Sequence, residues 1–181
     1  ILFGSFLNVL IYRMPQGQSI VSPASYCCTC KVTLKWVDLI PIFSYLILRR
    51  RCRYCKCTIS VTYILVEIVN SFLWIIIYLM TGYNLNLILY CFWSSLLLVI
   101  TVIDLKHKII PNALVLSVII ITLSYKLVLL FKRYEVDLLE GVYGLMLGGG
   151  ILIVLAIISR GGIGGGDIKL MGAIGFLVGI S

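Results

Sequence analysis

The chain's 181 residues are 61% hydrophobic and only 12% charged, with a formal net charge of +8. A soluble domain of this size cannot hide so much apolar surface in one core, so composition alone places the chain in a membrane. The positive balance does not argue for nucleic acid, because the basic residues flank apolar runs, where they set topology.

The chain opens at Ile1 inside one apolar stretch and stops at Ser181 inside another, so both ends read as cut from a longer protein. No basic leader or small-residue cleavage site marks a signal peptide. In chain order, a first span ends near Tyr12 and a polar loop runs from 13 to 61. A second span covers Thr62 to Met80, closed by the turn Thr81-Gly82-Tyr83-Asn84. A third runs from Leu87 to Ile103, followed by Asp104-Leu105-Lys106-His107-Lys108. Pro111-Asn112 starts a fourth span, Ala113 to Phe131, with Pro suited to a first helical turn. A loop to Glu140 precedes a fifth, Gly141 to Ile158, and the glycine-rich 159–167 leads into a sixth. The expectation is an all-α polytopic bundle of about six spans, divided into residues 1–61, a span plus cysteine loop, and residues 62–181. No internal repeat is evident.

Alternating sides places loops 13–61, 104–112 and 159–167 on one face. With Lys169, these hold Arg13, Lys31, Lys35, Arg49, Arg50, Arg51, Arg53, Lys56, Lys106, Lys108, Arg160 and Lys169, twelve of the fifteen Lys and Arg. The opposite face has Lys126, Lys132 and Arg133, with Glu135, Asp137 and Glu140. The positive-inside rule makes the first face cytoplasmic.

Asp104 ends the third span and Asp167 opens the sixth, so the topology brings both to the cytoplasmic face. A carboxylate near hydrocarbon costs about 2.5–3.5 kcal/mol on insertion scales, so an acid there has a task or a partner. Two close carboxylates, one ionised to activate water and one protonated to polarise a carbonyl, are what aspartyl proteolysis needs. The structural alternative pairs Asp104 with Lys106 or Lys108 and makes Asp167 a helix cap. Around Asp167, Gly161-Gly162-Ile163-Gly164-Gly165-Gly166 places five glycines in six positions. That density suits a site where an extended peptide lies against enzyme backbone; a hinge without chemistry is the alternative.

Seven cysteines occur, and four form Cys27-x-x-Cys30 and Cys52-x-x-Cys55 in the cytoplasmic loop. Disulfides are disfavoured there, and two such pairs about twenty residues apart have the spacing of a tetrahedral thiolate zinc site. A loop with little core of its own would draw much of its folding free energy from that metal. Cys28 and Cys57 offer a shifted ligand register, and Cys91 reads as a packing residue inside a span.

Gly164-Gly165-Gly166-Asp167 matches the Gly-x-Gly-Asp signature of intramembrane aspartyl proteases, which include presenilins and type IV prepilin peptidases. The stretch 103–112 resembles the first-aspartate region of the bacterial prepilin peptidases, and Gly166-Asp167-Ile168-Lys169-Leu170-Met171 resembles their second. Gly4-Ser5-Phe6-Leu7-Asn8-Val9, Arg13-Met14-Pro15, Trp36-x-Asp38-x-Ile40-Pro41 and Ser44-Tyr45-Leu46 look like that family's amino-terminal domain, and Glu67 matches a family position. One departure is Cys28, where the family commonly has Pro.

This resemblance implies a bacterial inner-membrane peptidase whose active site faces the cytoplasm. It would cut the leader of prepilins or pseudopilins with Asp104 and Asp167, Gly164, Gly165 and Gly166 giving the substrate access. It also implies N-methylation of the new amino terminus from S-adenosylmethionine, in a region containing Gly4, Asn8 and Arg13. Two other classes compete: an ion or proton transporter with a broken helix, which wants acids nearer the bilayer middle, and a zinc-dependent assembly protein whose carboxylates are only caps.

Overall fold

A computed structural model describes residues 2–27, 29–40, 43–132, 138–160 and 162–179. Cys28, Pro41, Arg133, Glu135, Asp137 and Gly161, which figure in the sequence reading, lie outside the described residues. The chain is helical, with seven α-helices among the described residues, and it divides into two compact units, 1–107 and 108–181.

The first unit contains α1 (Leu2–Arg13), the short α2 (Phe43–Ile47), α3 (Val61–Thr81) and α4 (Leu85–His107). Both α3 and α4 are long and apolar enough to cross a membrane. Helix α3 begins where the Ser60 hydroxyl accepts the Thr62 amide. It stops at Gly82, whose φ of 67° lets the chain turn away. Helix α1 lies against α3 and α4 through buried Leu7, Leu10 and Ile11.

Gly4 sets how close α1 comes, since a Cβ there would stand 2.9 Å from the Glu67 Cα. Phe3 closes the same contact against Trp74 and Phe92, at centroid distances of 5.4 and 5.3 Å. Three polar side chains inside the unit are joined in a chain. Trp74 Nε1 donates to Ser95 Oγ at 2.9 Å, and Ser95 donates to Asn70 Oδ1 at 2.7 Å, which ties α3 to α4.

The second unit contains α5 (Asn112–Phe131), α6 (Leu138–Ile158) and α7 (Gly165–Val178). Helices α5 and α6 meet the criterion for crossing a membrane. Glycine rather than interlocking side chains fits α6 to α7. A Cβ on Gly144 would collide with the Gly175 carbonyl, and one on Gly148 would fall 2.6 Å from the Met171 oxygen, so the backbones touch along a stripe of small residues.

Among the described residues, four helices are long and apolar enough to cross a membrane, against the six spans expected. The helix ends also differ from the sequence reading. Helix α4 continues past Ile103 to His107, so Asp104 lies within its last turn, where Lys106 and His107 favour the helix dipole. Gly165 and Gly166 belong to the first turn of α7 rather than to the loop before it.

Candidate functional site

The loop between α1 and α3 is built on two hairpins of the same design. In the first, the Lys31 amide donates to Cys27 O at 2.8 Å and the Cys27 amide to Val32 O at 3.0 Å, with Tyr26 bridged to Thr33. In the second, the Lys56 amide donates to Cys52 O at 3.1 Å and the Cys52 amide to Cys57 O at 2.9 Å, with Arg51 bridged to Thr58. Lys31 and Lys56 follow the second cysteine of each pair with φ of 59° and 58°, the left-handed turn that folds both thiols to one side. The hairpins therefore repeat, at a period of 25 residues, the pattern Cys-x-x-Cys-Lys-x-Thr.

The four thiols of Cys27, Cys30, Cys52 and Cys55 lie within 4.8 Å of one another. Two thiolates about 2.3 Å from a tetrahedral ion stand about 3.8 Å apart, so this donor set fits a thiolate-bound metal after a small contraction. Cys27 and Cys55 are already at 3.8 Å. Burial opposes ionisation of Cys27, but the amides of Cys30 and Thr29 and the thiols of Cys57 and Cys30 pull its pKa down to about 6. Thr29 favours the Cys57 thiolate, yet Cys55, burial and the neighbouring Cys27 push it up to about 11. One thiol of the cluster is thus poised as a ligand at neutral pH before any metal arrives.

Each hairpin is moored. Arg13, at the end of α1 and 5% exposed, donates from Nη1 to Ser19 O at 3.0 Å and from Nη2 to Pro23 O at 2.8 Å and Ala24 O at 3.3 Å. Its guanidinium also faces the Tyr26 ring at 5.7 Å. The second hairpin is held by Asp38, which accepts from Arg53 Nε at 2.6 Å and from the Tyr54 hydroxyl at 3.3 Å. Burial raises the Asp38 pKa, but the Arg53 hydrogen bond, the Lys35 amide and the Arg53 charge hold it below the usual carboxylate range.

Beneath the loop, a cavity of about 470 Å³ lies between α1, α3 and the hairpins. Asn8, Tyr12, Tyr63 and Glu67 line its helical side, and Lys106 reaches it from the last turn of α4. Asn8 also donates to Tyr63 O at 3.0 Å. Of the three residues singled out for methylation, Asn8 and Arg13 line the cavity, whereas Gly4 is the contact point of α1 with α3. Tyr12, Tyr63 and Lys106 are cavity residues the sequence reading missed. A signal for the first was present, since Asn8 and Tyr12 lie one helical turn apart.

Asp104 is exposed in the last turn of α4, and among the described residues of the first unit it forms no ion pair or hydrogen bond through its carboxylate. Asp167 is exposed at the third position of α7. The cap position belongs to Gly164, and Lys169 donates to Asn112 Oδ1 at 3.0 Å rather than to Asp167. The structural alternatives of a Lys106 pair and a capping Asp167 thus have no contact behind them.

The glycines before Asp167 leave room. A Cβ on Gly164 would sit 3.2 Å from Asp167 Oδ2, and one on Gly166 would sit 2.9 Å from the Ile110 Cβ. A side chain at Gly165 would meet nothing within 4 Å. None of these three has positive φ, so at Gly166 close approach to Ile110, rather than unusual backbone, is what favours glycine.

Residues 1–81 match the bacterial peptidase A24 N-terminal domain, and residues 91–181 match the type IV leader peptidase family. The prepilin leader peptidase/N-methyltransferase of Bacillus subtilis is 33% identical over 180 residues, covering 99% of this chain and 71% of that protein. Its namesake from Klebsiella pneumoniae is 31% identical over 188 residues, covering 98% and 81%. The type 4 prepilin-like proteins leader peptide-processing enzyme of Escherichia coli is 29% identical over 205 residues, covering 99% and 74%. No solved structure matches the chain.

Proposed function

The chain belongs to the type IV leader peptidase family, and from that premise we propose that it is a membrane prepilin leader peptidase and N-methyltransferase whose cutting pair is Asp104 and Asp167. The observation that carries this reading is the position of the two acids at the ends of α4 and α7, exposed and without structural partners in their own units. The side assignment needs only the four full crossings. Helices α5 and α6 carry the chain away and back between the two aspartates, and α3 and α4 do the same between the cysteine loop and Asp104. With twelve of fifteen Lys and Arg on that face, the loop and both acids face the cytoplasm of a bacterial inner membrane.

In the cut, the ionised member of the pair takes a proton from water as the water oxygen attacks the scissile carbonyl. The protonated member gives its proton to the carbonyl oxygen. The tetrahedral intermediate then collapses: one of its hydroxyls returns a proton to the second carboxylate as the carbonyl re-forms, and the leaving amine takes a proton from the first carboxyl, which restores the pair. Gly164, Gly165 and Gly166 leave the backbone beside Asp167 open to an extended substrate segment, here the leader junction of a prepilin or pseudopilin.

Methylation has its place in the first unit. The cavity is of small-molecule size, within the usual range of about 300–1,000 Å³. Its tyrosine rings and the Glu67 carboxylate suit a sulfonium cation, so S-adenosylmethionine fits the donor chemistry. Bound there, it would supply a methyl group to a neutral amine. Asn8, Tyr12, Tyr63 and Glu67 would hold it, and Arg13 keeps the cavity's loop wall in place. Zinc in the four-cysteine cluster would fix the hairpins that roof the cavity. In functional terms, residues 1–61 together with Tyr63 and Glu67 of α3 serve methylation, and the rest of 62–181 serves proteolysis.

A prepilin substrate incubated with detergent-purified protein and S-adenosylmethionine tests both activities by mass. The expected products are a freed leader and a mature chain carrying one added methyl group. A mature chain that is cut but never methylated would remove the second activity, and an uncut substrate would remove the first.

A further inference from the structure

Resting on the metal reading above, we propose that Cys57 is a reserve ligand of the thiolate site, able to take the vertex assigned to Cys55. In the first hairpin the residue two places after the second metal-binding cysteine is Val32, and in the second it is Cys57. The second hairpin therefore carries a thiol where the first carries Val32, and the fold turns that thiol toward the cluster. Cys57 Sγ lies 3.6 Å from Cys27 Sγ, and Cys55 Sγ lies 3.8 Å from it. Both distances are close to the edge of about 3.8 Å expected between two thiolates on one tetrahedral zinc.

The two candidates are 3.1 Å from each other. Sulfurs that close, each about 2.3 Å from one ion, would subtend about 85° rather than the tetrahedral 109°, so they alternate at one vertex instead of sharing the ion. Exchange between them is a small side-chain movement of the order of one rotamer change. Cys55 is exposed while Cys57 is half-buried. The ligand most open to oxidation or alkylation is thus the one with a second thiol behind it, and its loss leaves a tetrathiolate set of Cys27, Cys30, Cys52 and Cys57.

The test uses the full chain in detergent as wild type, Cys30→Ser, Cys55→Ser, Cys57→Ser and the double variant Cys55→Ser/Cys57→Ser. Zinc per chain is measured after dialysis, and the thiolate charge-transfer absorption is measured after exchange for cobalt. The expected result is roughly one zinc per chain and a four-thiolate cobalt spectrum in wild type and in both single variants at 55 and 57. Zinc should fall at least about tenfold in Cys30→Ser and in the double variant. Loss of zinc from Cys55→Ser equal to that from Cys30→Ser, or a three-thiolate spectrum in Cys55→Ser, overturns the reserve role. Zinc retention by Cys30→Ser also overturns it, by showing that any ligand can be spared. A wild type that binds no zinc overturns the metal reading itself and the reserve ligand with it.

Discussion

The cysteine loop and the two aspartate-bearing helix ends solve the problem of placing a reactive group in opposite ways. The loop carries its site in local backbone geometry. Two short hairpins, each with a left-handed lysine after its second cysteine, bring four thiols within 4.8 Å with almost no apolar core beneath them. The aspartates are carried by helix ends. Asp104 and Asp167 stand exposed without local partners, and what qualifies them is the length and direction of the spans leading to each. A site of the first kind fails by loss of its ion or anchors, and one of the second kind fails by loss of the carboxylate or of helix packing.

The largest effect that separates the two is metal removal. Chelation should unfold the loop, because structural zinc in small domains supplies about 10–16 kcal/mol of apparent binding free energy. Limited proteolysis between residues 13 and 61 reads this out, and a loop that resists protease equally with and without chelator would contradict the metal's structural role. Gly144→Leu comes next and acts on the other kind of site. Its side chain meets the Gly175 backbone, which cannot yield as a side chain can, so a loss of about 3 kcal/mol, the upper end for overpacking, is expected in the second unit. Gly150→Leu, at a position with nothing within 4 Å of a Cβ, should leave thermal stability nearly unchanged. Equal melting temperatures for the two variants would deny that the glycine stripe sets the α6–α7 contact.

Arg13→Met should cost roughly 1–3 kcal/mol, because the carbonyls of Ser19, Pro23 and Ala24 lose a charged donor. It should loosen the first hairpin, visible as faster amide exchange at Cys27 and Lys31, while the second hairpin, moored on Asp38, is unaffected. Uniform loss of protection across both hairpins would show that the anchors are not separate.

The sequence made the helical class and the ligand pairs legible, because apolar run length and Cys-x-x-Cys spacing are local signals. It expected about six crossings, whereas four helices among the described residues are long and apolar enough to cross. It also ended α4 too early at Ile103, because charged residues look like a loop even where Lys106 and His107 suit a helix C-terminus. The hairpin repeat was missed although both copies read Cys-x-x-Cys-Lys-x-Thr, because its equivalence lies in hydrogen bonds and in the φ of Lys31 and Lys56. The role of Gly164 was beyond sequence for a similar reason. Five glycines suggested access for an extended peptide, whereas a Cβ on this one would sit 3.2 Å from Asp167 Oδ2.

The central claim is that the cutting pair is Asp104 and Asp167 and that it is separable from the cysteine loop. The most direct measurement is prepilin cleavage and bound zinc, determined on the same preparations of wild type, Asp104→Asn and Asp167→Asn in detergent. Each Asn variant should keep its zinc and its thermal stability while cleavage falls by about 10²–10⁴-fold or more, as for loss of a general acid or base. Either variant cleaving at the wild-type rate would contradict the account and return its carboxylate to a structural role.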